Sequence, residues 1–195
     1  MTRPVDPTEV LPPLCEGVTV RRVHTHDNGI PVAQDLQVVH RMLEESFQDH
    51  FNSYRESFPE FVQRLREDPG HRWDHWWLAC VSAPLDTSVS GEVPTSLDRR
   101  DEPAGAIVCS VLPPDTTGSE GLYVDYIGVD RIARGRGVAK GLLHTVLAAA
   151  ALLGHDRVGL EVDADSPTRA GQIYVSMGWT TDYLTESWFR DVATR

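Results

Sequence analysis

The 195-residue sequence is poor in lysine, in cysteine and in long apolar runs. Lys140 is its only lysine, and 18 Lys and Arg against 29 Asp and Glu leave a net charge of −11. Such a surface repels nucleic acid and anionic lipid and favours cationic ligands, so neither nucleic acid nor membrane is expected as a partner. Cys15, Cys80 and Cys109 are odd in number and lack Cys-x-x-Cys spacing, which suggests reduced, mostly buried thiols and neither a disulfide framework nor a thiolate metal site. The longest apolar run, Val146–Leu153, falls far short of the roughly 18 to 20 residues of a membrane span. Met1-Thr2-Arg3-Pro4-Val5-Asp6 has no apolar stretch behind its charge, so no secretory signal is read there and a cytoplasmic location is expected. His71 and His75 stand four apart, but Pro69 and Gly70 argue against a helix presenting both, and no third ligand is evident; no metal is expected.

At 41% hydrophobic residues the chain can build a core. Pro4, Pro7, Pro12 and Pro13 make residues 1–17 a flexible, loosely docked lead-in, leaving 18–195 as a single domain. Val18–Val23 alternates as a strand. Pro31–Phe47 places Val32, Leu36, Val39, Met42, Leu43 and Phe47 at helical spacing, and Phe58, Phe61, Val62 and Leu65 mark a second helix stopped by Asp68-Pro69-Gly70. Trp76–Ser82 and Ala104–Leu112 read as strands separated by a polar loop over about 83–103. Trp73, Trp76 and Trp77 suit buried sheet packing better than an aromatic wall. Leu122–Val129 is a strand and Gly137–Leu153 a helix, with Gly154 at its C′ position. Val158, Leu160 and Val162 then alternate, so this strand, helix and strand form a parallel crossover. A helix over Thr168–Met177 ends at Gly178, and Trp179–Asp191 has the composition of one or two short strands. The fold class is α/β with a mixed sheet.

Arg134-Gly135-Arg136-Gly137-Val138-Ala139 lies between a strand end and a helix start, where free backbone N–H groups and the positive end of the helix favour an anion. Lys140 follows Ala139 and precedes Gly141, which fits neither a Walker A loop nor a dinucleotide fingerprint. An ordinary turn with solvated arginines is the alternative. The segment matches Arg/Gln-x-x-Gly-x-Gly/Ala, and from Leu122 to Trp179 the chain resembles the GNAT superfamily of acyl-CoA-dependent N-acyltransferases. The resemblance implies a mostly antiparallel sheet whose fourth and fifth strands are parallel and splayed, with flanking helices. It also implies that main-chain N–H groups of the turn, at the motif positions Arg134, Gly137 and Ala139, hold the pyrophosphate of acetyl-CoA. Gly135 and Val138 lie within that turn, and Arg136 and Lys140 add charge. Ile127, Gly128 and Val129 would pair with the pantetheine, Gly128 being compatible with a bulge.

Ala170-Gly171-Gln172-Ile173-Tyr174-Val175-Ser176-Met177-Gly178-Trp179 resembles the family's Ala-x-x-x-Tyr-x-x-x-Gly-Phe helix, whose tyrosine is the general acid for the departing thiolate; Tyr174 takes that role, with helix-to-sheet packing as its alternative. Pro167 stands where many relatives have asparagine, so that amide's contacts do not carry over. Asp125 occupies a strand position where some relatives carry the base, and a water relay from Glu44, Glu45 or His50 competes with it. The resemblance places the acceptor against Glu44, Glu45, Asp49, His50 and Tyr54. The run Glu44–His50 with the helix and Trp-rich strand after it also resembles one module of mycothiol-synthase-type tandem acetyltransferases; this chain has room for one module, so their substrate does not transfer. The implied activity moves an acetyl group from acetyl-CoA to a primary amine of a small molecule by direct attack in a ternary complex. A non-catalytic acyl-CoA-binding regulatory module and a protein or peptide acetyltransferase stay open. The short tail after Trp179 could leave a sheet edge for a second copy.

Overall fold

The computed structural model describes residues 1–47, 56–67, 71–84, 99–116, 118–164 and 170–186. Among them are strands β1 (Thr2–Pro4), β2 (Val18–Arg22), β3 (His71–Pro84), β4 (Arg99–Leu112), β5 (Gly121–Val129) and β6 (Arg157–Leu160), and helices α1 (Ala33–Phe47), α2 (Phe58–Glu67), α3 (Val138–Leu153) and α4 (Ala170–Ser176). The strands form one sheet in the order β1-β6-β5-β4-β3-β2. Every neighbouring pair is antiparallel except β5 and β6, which run parallel on either side of the α3 crossover.

Two apolar clusters cover the two faces of this sheet. On one, α3 buries Leu142, Leu143, Val146 and Ala150 against Trp77, Ile107, Leu122 and Val158. On the other, α1 and α2 bury Leu36, Val39, Met42, Leu43, Phe61 and Leu65 against Trp76, Leu78, Ala106 and Val108. Each large side chain removed from water in this way contributes about 1.5–3 kcal/mol before entropy is counted. Trp76 and Trp77, adjacent on β3, point to opposite faces and are 0% and 3% exposed, in line with strand alternation and with packing as their role.

Local chemistry fixes the element ends. Asp35, in the first turn of α1, accepts two hydrogen bonds from the Arg21 guanidinium at 2.7 and 2.8 Å and one from the His24 N–H at 2.7 Å, tying α1 to the end of β2. These donors, Arg21 first, hold the Asp35 carboxyl at about 2. At the far end of α3, Gly154 adopts φ 75° as expected of a C′ glycine, and His155 N–H returns to the Ala150 carbonyl at 2.9 Å.

Several expectations change. Residues 1–17, read as a loose lead-in, supply β1, which pairs with β6 through Thr2↔Gly159, Arg3↔Val158 and Pro4↔Arg157. Proline is tolerated because β1 is an edge strand and needs no N–H on its outer side. Trp179–Asp191, expected to form one or two short strands, forms none among the described residues: Thr180 makes an isolated bridge to Thr2, residues 181–186 are irregular, and the rest lies outside the described residues. β3 and β4 extend beyond their expected limits, so residues 83–84 and 99–103 of the polar loop are strand, and 85–98 lie outside the described residues. Cys15 is exposed, Cys80 intermediate and Cys109 buried.

Candidate active site

The parallel pair stops early. β5 and β6 are in register from Gly121↔Arg157 to Val124↔Leu160 and no further, although β5 continues to Val129. On its other side β5 remains paired with β4, through Val108↔Tyr126, Ile107↔Ile127, Ala106↔Gly128 and Gly105↔Val129. The register between β4 and β5 slips between Val108↔Tyr126 and Cys109↔Val124, so Asp125 is the extra residue of a bulge. A bulge bends and twists its strand, and here it coincides with the point where β5 and β6 part. The bulge expected near Gly128 therefore sits three residues earlier. Gly128 serves helix packing instead: a Cβ there would lie 2.7 Å from Ser46 Oγ and 3.1 Å from the Met42 carbonyl, so its bareness lets the end of α1 rest on β5.

β5 leads directly to the glycine turn. Asp130 Oδ1 accepts the Ile132 N–H at 2.8 Å and caps a 3₁₀ turn over Arg131–Ala133. Arg134 is extended, Gly135 and Gly137 take φ 79° and 83°, and α3 starts at Val138. The side chain at the N-cap is absent because the residue is Gly137, and α3's first helical bond runs from Gly141 N–H to the Gly137 carbonyl at 2.9 Å. The N–H groups of Val138, Ala139 and Lys140 thus precede any acceptor within the helix, an arrangement suited to an anion. Arg134, Gly135, Arg136 and Lys140 are exposed around it, with Arg136 Nη2 3.4 Å from the Ser82 carbonyl. Cys15 lies against Gly137, where a Cβ would collide with its Sγ.

Tyr174, on α4, belongs to the same buried cluster as Val124 and Leu160, the last residues paired across the parallel strands. It is 6% exposed, its ring centroid lies 6.0 Å from that of Trp179, and burial raises its phenol pKa, keeping it a proton donor at neutral pH. Ser110 Oγ donates to Asp125 Oδ1 at 3.0 Å. Chain continuity brings Asp125, Ile127–Val129 and the turn to one mouth of the split, while Tyr174 is buried in the cluster on the α3 face of the sheet with Trp179 as its ring neighbour.

The expected acceptor residues are less concentrated. Glu44 shares the face of α1 that carries His40, 3.9 Å away, and His40 packs on Phe58 and Phe61 of α2. Glu45 is exposed, and Asp49, His50 and Tyr54, like Pro167, lie outside the described residues. His75 is a core residue of β3, 2% exposed and stacked on Trp77. Sequence reasoning missed Tyr126, whose hydroxyl accepts from Arg64 Nη1 at 2.9 Å while Arg64 clasps Glu56 at 2.8 and 2.7 Å, tying α2 to the strand beside the bulge. It also missed Ser110 and Tyr123; period-two alternation from Asp125 would have found Tyr123.

A parallel pair that parts early and leads into an anion-receptive turn is the arrangement that the resemblance to the GNAT superfamily implies. The model of the acetyltransferase (GNAT) family matches residues 47–179, and the chain belongs to that family. No curated protein sequence matches significantly. Among solved structures, the fold is similar to a ribosomal-protein-alanine N-acetyltransferase from Brucella melitensis biovar Abortus 2308, at 16% identity and TM-score 0.55, covering 89% of this chain and 99% of that one. An aminoglycoside acetyltransferase from an uncultured soil metagenomic sample gives 15% identity and TM-score 0.57 over 91% and 97%. A GCN5-related N-acetyltransferase from Sphaerobacter thermophilus gives 22% and 0.56 over 91% of this chain and 46% of that one. No described helix is long and apolar enough to cross a membrane.

Proposed function

We propose that this N-acetyltransferase takes its acetyl group from acetyl-CoA and passes it to a primary amine of a small molecule, by direct attack while both are bound. The observation that carries the reading is the coincidence of three features: strand pairing that ends at Val124↔Leu160, the Asp125 bulge, and the uncapped start of α3. The cosubstrate's chemical contribution is an activated thioester. The chain's residues fit it: N–H groups of Val138, Ala139 and Lys140 toward the pyrophosphate, Gly135 and Gly137 allowing close approach, Arg134, Arg136 and Lys140 adding charge, and the open edge of Ile127–Val129 toward the pantetheine amides. The amine nitrogen forms a bond to the carbonyl carbon as the carbon–sulfur bond breaks. Tyr174 gives its proton to the leaving sulfur, and Asp125, directly or through water, accepts one from the amine. Cytoplasmic residence, and self-association through an open sheet edge, belong to the same proposal.

The test follows thiol release from acetyl-CoA over a panel of small amines, peptides and N-terminal amines, with acetyl-CoA binding measured by calorimetry. Small amines are expected to give turnover. Tyr174→Phe should lower kcat by about a hundredfold while the coenzyme still binds; unchanged kcat removes Tyr174 as the acid. Tight acetyl-CoA binding without thiol release from any amine would favour a regulatory module instead.

A further inference from the structure

Beside the split, the face of the sheet that carries α1 continues past the end of that helix. α1 rests on β4 and β5 at the level of Gly128, where Ser46 and Met42 meet the strand. On the same face but past the bulge, Ser110, Tyr123 and Gly159 stand side by side across three strands, in the register Ser110↔Tyr123 and Tyr123↔Gly159. Gly159 seats the tyrosine: a Cβ there would come 3.2 Å from Tyr123 Cδ2 and 3.8 Å from Cε2. Asp125 lies two residues beyond Tyr123, held by Ser110, and Glu161 lies two beyond Gly159. Tyr123 feels the negative charge of Glu161 and Asp125 and the nearby Tyr183, which with burial as the first cause pushes its phenol up to about 12. The floor at the carboxyl ends of the parallel pair is thus one neutral phenol seated on a bare backbone between two carboxylates. Carboxyl ends of parallel strands where neighbours part are the usual place for a ligand in an open sheet.

We propose that this patch selects the acceptor: Tyr123 and Glu161 hold a second cationic centre, so the preferred acceptors are diamines or polyamines in which one amine reaches the split while another ammonium is held here. The inference rests on the acetyl-transfer reading above. Asp125 serves the reacting amine, and Glu161, exposed at the end of β6, meets the remote charge. A carboxylate and an aromatic ring together recognise an ammonium by charge and by the ring's negative face. The bare Gly159 fixes where that ring lies.

The experiment compares 1,4-diaminobutane with 1-aminobutane and 4-aminobutan-1-ol as acceptors, following thiol release, with acetyl-CoA affinity measured separately by calorimetry. Wild-type kcat/KM should favour the diamine over both by about 3- to 20-fold, mostly through KM, and the preference should shrink at high salt. Glu161→Gln should reduce kcat/KM for the diamine more than for the amino alcohol. Gly159→Ala, which displaces the ring, should do the same without altering any charge. A wild-type diamine-to-alcohol ratio near one, or a ratio that survives Glu161→Gln, with acetyl-CoA binding and turnover intact, overturns the selection and leaves acetyl transfer standing. Absence of acetyl-CoA binding overturns both.

Discussion

The contact between Cys15 and the turn gives a sharp test of how the turn is built. Gly135 and Gly137 both need a left-handed backbone, at φ 79° and 83°, and giving either a Cβ costs about 1–2 kcal/mol on that ground alone. Their surroundings differ. A Cβ at 135 meets nothing within 4 Å, whereas at 137 it collides with Cys15 Sγ and lies 3.2 Å from Cys15 Cβ. The sulfur can rotate aside but the Cβ cannot without moving the chain, and such overpacking adds about 1–3 kcal/mol. Gly135→Ala should therefore cost about 1–2 kcal/mol and Gly137→Ala about 2–5 kcal/mol in urea unfolding, with unchanged m-values. In a Cys15→Gly background the cost of Gly137→Ala should fall back to that of Gly135→Ala, giving a coupling of about 1–3 kcal/mol in the double-mutant cycle. Equal costs at 135 and 137, or zero coupling, would refute the packing of Cys15 on the turn. The same geometry makes Gly135 the cleaner probe of coenzyme binding, since a bulky residue at 137 disturbs the protein's own packing first.

Acid should attack the α1 anchor. Asp35 titrates at about 2 against an ordinary 3.8, so the stability it lends is complete above about pH 4 and is lost as pH falls toward 2; that loss amounts to about 2 kcal/mol, and Asp35→Asn should flatten this limb of a pH-dependent melting curve while lowering stability at pH 7. Gly128→Ala should cost about 1–3 kcal/mol because α1 must lift from β5, and Ser46→Gly should recover part of it in thermal melts. With Asp125 as the base, Asp125→Asn should slow turnover at pH 7 by about ten- to a hundredfold and recover as pH rises toward the amine's own pKa; a constant deficit across pH would reject that role.

The second half of the fold is legible in the sequence because its signals are local. The Leu122–Val129 strand, the Gly-rich turn, the α3 periodicity, Gly154 and the Tyr174 helix each carry their information within a few residues. What escaped depends on partners distant along the chain. A bulge is a count mismatch between two strands, and nothing in Asp125 itself announces that Val108 and Cys109 advance by one while Tyr126 and Val124 differ by two. Gly128 reads in the sequence as compatible with a bulge, but its smallness answers to Ser46. Thr2-Arg3-Pro4 has neither length nor alternation to mark a strand and becomes one only because β6 offers an edge. The Ser110, Tyr123 and Gly159 row is likewise a product of register across β4, β5 and β6.

The pairing of Thr2 with Gly159, and of Thr2 with Thr180, has a bearing on the order in which the molecule forms. During synthesis the first strand has no mate until nearly the whole polypeptide has left the ribosome, and joining points so far apart along a chain is slow. The hairpins of β3, β4 and β5 can assemble long before, while the parallel pair that opens the cleft receives its outer neighbour last. Acyl-donor binding should therefore lag behind the burial of Trp76 and Trp77 when the protein folds.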